Sequence, residues 1–183
     1  MTMSPADPRL MGREVKRIVF DERQIHDRVA ALGREIAAEY PDGDLLALGL
    51  LKGSFMFTAD LVRQIPRPLQ VDFLVAGSYG SATVSSGDVR LLYDPETSIE
   101  GKHVLLVEDI VDSGRTMQKL VDLLAQRRPR SLQICALLHK HIAEHLQHPV
   151  RFVGFDAPPE FLVGYGLDHA ENFRHVPYIA SLA

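Results

Sequence analysis

The order of apolar and polar positions divides the chain into alternating short strands and helices. Residues 15–20 read as a short strand. Asp21 then caps a helix whose Ile25, Val29, Leu32 and Ile36 recur at helical spacing up to the Pro41-Asp42-Gly43 break. Residues 45–51 are apolar throughout and stop at Lys52. That run is too short for a typical helix and suits a strand buried on both faces. The pattern predicts a helix over 54–65, ended by Pro66 and Pro68, a strand over 71–75, and a mobile loop over the small, polar, uncharged residues 77–87. Residues 89–93 are expected to pair locally. A buried strand over 103–107 precedes a helix over 116–125 that turns Leu120, Leu123 and Leu124 inward, and 132–138 is a further buried strand. Short strands over 152–155, 161–163 and 176–179 complete the chain. Buried strands alternating with helices indicate an α/β fold with a central, mostly parallel sheet flanked by helices and a small irregular C-terminal part.

Composition narrows the class. The chain has 183 residues, 46% apolar and 24% charged, enough for one domain that buries roughly 70% of the unfolded chain's surface. Cys135 is the only cysteine, so a disulfide within the chain and a cysteine-based zinc finger are both ruled out. The net charge of −4 carries no basic excess for phosphate contacts, which argues against a nucleic-acid partner. No apolar stretch approaches the roughly 18 residues of a membrane helix. Residues 1–12 lack the apolar core of a signal peptide and read as a disordered tail on a cytoplasmic protein, leaving 13–183 as a single domain.

Ligands of open parallel sheets bind beyond the carboxyl ends of the strands. That rule selects Lys52-Gly53-Ser54, the run Glu108 to Thr116, and His139-Lys140. The second is the most informative. A buried strand (Val104 to Val107) ends in two adjacent carboxylates, Glu108 and Asp109, and an Asp112-Ser113-Gly114-Arg115-Thr116 turn then opens a helix. Backbone N–H groups of such a turn and the helix N-terminus suit a monoester phosphate, with Ser113 and Thr116 adding hydroxyl donors. It is not a Walker A loop, because the Gly-Lys-Ser/Thr ending is missing. Paired acids beside a phosphate cradle suit a ligand that also carries vicinal hydroxyls or a divalent cation. The plainer alternative is an acidic strand end followed by a capped helix, with Asp112 as the cap.

This run closely resembles the phosphoribosyl-pyrophosphate (PRPP) signature of the type I phosphoribosyltransferases. Leu51-Lys52-Gly53-Ser54, Ser78-Tyr79-Gly80, Lys140, and Phe161 to Asp168 with Phe173-Arg174 resemble, in order, further motifs of its 6-oxopurine branch, the hypoxanthine and hypoxanthine-guanine enzymes. The resemblance implies purine salvage: PRPP gives up pyrophosphate at ribose C1′ to a ring nitrogen of hypoxanthine or guanine, yielding IMP or GMP. It implies that Lys52, Gly53 and Arg174 hold pyrophosphate, across a cis Leu51-Lys52 peptide. Ser78 and Tyr79 belong to a loop that closes over PRPP. Glu108 and Asp109 serve the ribose hydroxyls and, with Asp168, Mg²⁺. Asp112, Ser113, Gly114, Arg115 and Thr116 cradle the 5-phosphate. Asp112 is also the general acid/base at purine N7, a place where pyrimidine and adenine relatives generally lack Asp.

Lys140 selects the 6-oxo group, since an ammonium donates only and adenine offers an amino group there. The resemblance implies that Phe161 stacks on the base and that Leu162 and Asp168 flank its 2-position. Leu162 stands where the family often has valine, which bears on pocket width. The resemblance implies that residues 149–183 contribute to a hood over the base and that the active form is a homodimer or homotetramer of small-molecule-binding subunits.

Plainer alternatives are a solvated Lys52 and a core aromatic at Phe161. Rival functions are a transferase preferring xanthine or a pyrimidine, and a PRPP-sensing regulator that binds nucleic acid. His141-Ile142-Ala143-Glu144-His145 fits an H-x-x-E-H zinc pattern. Only a short helix fits before Pro149, so these read as solvated histidines.

Overall fold

The computed structural model describes residues 7–78, 89–140 and 146–182. Its elements in chain order are β1 (Val15–Phe20), α1 (Glu22–Glu39), β2 (Leu45–Leu51), α2 (Phe55–Gln64), β3 (Gln70–Ser78), β4 (Val89–Tyr93), β5 (His103–Val111), α3 (Arg115–Ala125), β6 (Ser131–His139), β7 (Val150–Asp156), β8 (Leu162–Val163) and β9 (Ile179–Leu182). Six strands form the main sheet in the order β4-β3-β2-β5-β6-β7, parallel except for the edge strand β4.

Alternation along the central strands assigns their side chains to two faces. Leu105 and Val107 of β5 join Leu45 and Cys135 under α1 and α2, while Val104 and Leu106 join Leu46, Leu48 and Ile134 under α3. Helix α1 begins where the Asp21 side chain accepts from the Gln24 amide at 2.8 Å and Gln24 Oε1 accepts from the Asp21 amide at 2.9 Å, a reciprocal capping box. Its stripe of Ile25, Val29, Leu32 and Ile36 is buried, as the spacing predicts.

From β2 the chain crosses through α2 to β3 on one side and returns to β5 on the other, so the two paths diverge between β2 and β5. Such a divergence leaves a crevice at the strands' carboxyl ends. Gly49 of β2 lies opposite Val107 of β5, which brings Lys52-Gly53 beside Glu108-Asp109.

Three features of the structure bear on the expected hood and tail. The second sheet, β1-β9-β8, is antiparallel; two of its three strands come from the C-terminal part, as expected, and the N-terminal strand β1 adds the third. Strand β7 falls within 149–183 yet belongs to the main sheet. The third concerns the tail. Residues 1–6 lie outside the described residues, but Pro8–Leu10 forms a 3₁₀ turn capped by Asp7, and Leu10 is buried with Val163, Phe173 and Val176. The Leu10 side chain and a hydrogen bond from the Tyr178 hydroxyl to Asp7 Oδ2 at 3.3 Å anchor this segment to the hood. Among the described residues no helix is long and apolar enough to cross a membrane.

Candidate functional site

The carboxyl ends of β2, β5 and β6 bring the predicted residues into one row. Glu108 and Asp109 stand near the end of β5. Glu108 is buried, and its Oε1 accepts from the Asp109 amide at 3.0 Å. Burial and the adjacent Asp109 carboxylate push its carboxyl well above the usual range. Asp109 Oδ1 accepts from the Ile110 amide at 2.9 Å, and its other oxygen lies against Gly53. A Cβ on Gly53 would stand 1.8 Å from Asp109 Oδ2, so the loop and the carboxylate meet only because that side chain is absent. The Leu51-Lys52 peptide is cis.

Beyond Val111 the chain turns through Asp112, Ser113 and Gly114. Gly114, at φ 77°, is the residue from which α3 starts, with no side-chain cap. Asp112 therefore does not cap the helix. Ser113, Arg115 and Thr116 are exposed around the N-terminus of α3, where unpaired amides suit an anion.

The parallel register of β5 and β6 pairs Val111 with His139, which sets Lys140 beside Asp112. The Lys140 amide donates to Val111 O at 2.9 Å, and Lys140 Nζ lies 3.2 Å from Asp112 Oδ2. Lys140 is the more enclosed partner, with 20% of its side chain exposed against 57% for Asp112.

The segment between β8 and β9 supplies the opposite wall. Arg174 Nη1 donates to Gly166 O at 2.7 Å, and Nη2 lies 2.8 Å from Asp168 Oδ1 and 3.4 Å from Glu171 Oε2. Asp168 Oδ2 also accepts from the Glu171 amide at 2.8 Å. Lys52 Nζ crosses to Glu171 Oε2 at 3.0 Å, so the β2 loop and this wall are tied by an exposed ion pair. Lys52 is solvated, and Glu171 is the partner that sequence reasoning missed. Gly166, at φ 102°, packs on the backbone of Gly53: a Cβ there would lie 2.1 Å from Gly53 O.

Phe161 is not a core aromatic. It is 63% exposed, and its ring meets His169 edge-on at 5.4 Å. Leu162 is buried in β8. Ser78 ends β3, whereas Tyr79, the rest of the predicted loop to residue 87, and the histidines of 141–145 lie outside the described residues. A cavity of about 470 Å³ opens between α1, α2 and residues 174–177, and none of Glu108, Asp109 and Asp112 lines it. The strand-end row, rather than this cavity, carries the predicted chemistry.

Replacing Gly166 by alanine tests the close approach. The new Cβ collides with backbone and holds an unfavourable φ, which costs on the order of 1–3 kcal/mol. The expected result is a Tm lowered by about 3–10 °C, measured by thermal unfolding. A Tm unchanged within error would mean that the two loops separate freely.

Comparison with known proteins gives a consistent result. The phosphoribosyl transferase domain matches residues 18–170. A hypoxanthine phosphoribosyltransferase of Salmonella typhimurium is 47% identical over 167 residues, covering 90% of this chain and 94% of the relative. A hypoxanthine-guanine phosphoribosyltransferase of Dictyostelium discoideum is 48% identical over 176 residues, covering 94% and 96%. The crystal structure of a hypoxanthine phosphoribosyltransferase from Staphylococcus aureus superposes with a TM-score of 0.90 at 36% identity, covering 97% of each chain.

Proposed function

The chain belongs to the phosphoribosyl transferase family, and from that membership we propose that it transfers the 5-phosphoribosyl group of PRPP to hypoxanthine, and to guanine, in purine salvage. The bond from ribose C1′ to pyrophosphate breaks, a bond from C1′ to a purine ring nitrogen forms, and IMP or GMP leaves with pyrophosphate. The observation that carries this reading is the pairing of Lys140 with Asp112 at 3.2 Å beside the turn that opens α3. A donor-only group suited to a 6-oxo oxygen and a carboxylate suited to a ring-nitrogen proton stand together, next to amides suited to a phosphate.

In this reading Asp112 accepts the N7 proton as the base becomes bonded to ribose, and Lys140 donates to O6. Phe161, exposed at the start of the hood, offers a face to the base, with Leu162 and Asp168 near its 2-position. Gly114 and its neighbours Ser113, Arg115 and Thr116 hold the 5-phosphate. Lys52, Gly53 and Arg174 receive pyrophosphate, which competes with Glu171 for the same cations.

The carboxylates also fit Mg²⁺. Among the described residues no group of three or more His, Cys, Asp or Glu stands close enough to form a metal cage. Mg²⁺ does not need one: it keeps several waters and takes one or two carboxylates together with substrate oxygens. Asp109 and Asp168 would hold it, with Glu108 behind Asp109, and the bound ion supplies positive charge to the departing pyrophosphate.

The test is an ultraviolet turnover assay with PRPP and Mg²⁺, offering hypoxanthine, guanine, xanthine, adenine and uracil separately. Turnover confined to 6-oxopurines is the expected result, and the ratio between them reports on Leu162. No turnover of any base, with PRPP still bound, would overturn the reading in favour of a regulator.

A further inference from the structure

Helix α2 starts directly after the Lys52-Gly53-Ser54 turn, and two turns along it Asp60 reaches the wall that carries Asp168 and Arg174. The Tyr165 hydroxyl donates to Asp60 Oδ2 at 2.7 Å, while Arg63 pairs with the other oxygen, Oδ1. Tyr165 is itself fixed. The residue is 8% exposed within the core cluster under α1 and α2, its φ is 49°, and its amide donates to Val176 O at 2.7 Å. The next residue, Gly166, gives its amide to Arg174 O at 2.9 Å, takes the Arg174 guanidinium on its carbonyl, and rests on Gly53. Tyr165 thus connects α2, the helix that follows the pyrophosphate loop, to the strap whose arginine faces that loop. Burial and the Asp60 carboxylate raise the phenol's pKa, which keeps it a donor. Besides the Gly166–Gly53 contact, the loop and the strap are linked by Lys52 to Glu171, an ion pair with 68% and 65% of its side chains exposed, and such pairs hold geometry weakly.

Resting on the phosphoribosyltransferase reading, we propose that Asp60 and Tyr165 are positioning residues. Their partly buried hydrogen bond sets the spacing between the Lys52-Gly53 loop and the Asp168–Arg174 strap, and through it the affinity for the pyrophosphate end of PRPP. Neither residue is among those assigned to the base.

The experiment compares wild type with Y165F, D60N, D60A and the Y165F/D60A double variant. It reads KM for PRPP and for hypoxanthine, kcat, and thermal unfolding. Y165F is expected to raise KM for PRPP about tenfold, the scale of one partly buried hydrogen bond to a charged group. The hypoxanthine KM and kcat are expected to stay within about twofold of wild type. D60N keeps an acceptor oxygen and is expected within about threefold of wild type, D60A to match Y165F, and the double variant to be no worse than either single one. The proposal is overturned if KM rises equally for both substrates, if Y165F leaves KM for PRPP unchanged, or if D60N is as impaired as D60A. Y165F loses only a hydroxyl and carries the test should D60A not fold. Pyrophosphate binding by calorimetry in the presence of Mg²⁺ makes the same comparison without turnover. A wild type that turns over no oxopurine therefore strikes the functional reading alone, and equal pyrophosphate affinity in wild type and Y165F strikes the clamp.

Discussion

Replacing Asp112 by asparagine is expected to lower kcat for hypoxanthine by about 10²- to 10⁴-fold, the range by which a positioned proton acceptor contributes. The amide keeps the shape of the side chain and can still accept a hydrogen bond from Lys140, 3.2 Å from Asp112 in the native chain, but it cannot take a proton. Asp112 neither caps α3 nor is buried, so stability should stay within about 0.5 kcal/mol of wild type. The measurement is steady-state kinetics with PRPP as the varied substrate. PRPP binding is expected to change by less than about threefold, because an uncharged residue at this turn leaves its amides in place. A loss shared equally between kcat and PRPP affinity would mean that Asp112 only shapes the phosphate turn.

The second large effect concerns the choice of base. Removing the ammonium by Lys140→Ala takes away the one group proposed to contact O6, and it leaves the Asp112 carboxylate without its ion-pair partner. A site that places a donor against an oxygen rejects a base offering an amino group by about 10⁴-fold or more. Without the donor that rejection has no source. The expected outcome is a fall in kcat/KM for hypoxanthine of about 10²-fold or more, with adenine approaching it to within about tenfold. The assay is competition between the two bases at fixed PRPP. An unchanged ranking of purines would remove Lys140 from the specificity role and leave it as the counter-ion of Asp112.

The main sheet is legible in the amino-acid order because its central strands are buried on both faces. Continuous apolar runs such as 45–51 have no other stable environment at that length. The capping box at Asp21 and Gln24 is likewise a local signal, complete within four residues. The hood is harder to read. Strand β1 is recognisable, but its partner is β9, more than 150 residues away, and the register between them is broken twice. No periodicity within either segment states that they meet.

The same division runs through the site. Lys52, Asp109, Asp112, Lys140 and Arg174 are legible through motif order, because strand ends converge on a crevice that the α/β pattern already implies. Glu171, Asp60 and Tyr165 are not. The turn that brings Glu171 to Lys52 uses left-handed backbone at Ala170, Glu171 and Phe173, none of them glycine. The usual marker of that conformation is therefore absent. Asp60 shows only as a polar position on an amphipathic helix, and Tyr165 as an aromatic within a glycine-rich segment. Their meeting depends on how the hood settles on α2, which is a property of the tertiary structure.

The pairing of β1 with β9 also orders events during synthesis. A chain made from its N-terminus exposes Val15–Phe20 early, but its hydrogen-bonding partner, Ile179–Leu182, is made more than 150 residues later. Strands β2 to β7 can assemble their sheet in the meantime, since all of them precede residue 157. Throughout that interval β1 is an unpaired edge, open to association with other chains. The Asp168 and Arg174 side of the crevice lies between β8 and β9, beyond every strand of the main sheet, so the phosphate turn and the opposite wall of the crevice are made at separate times during synthesis.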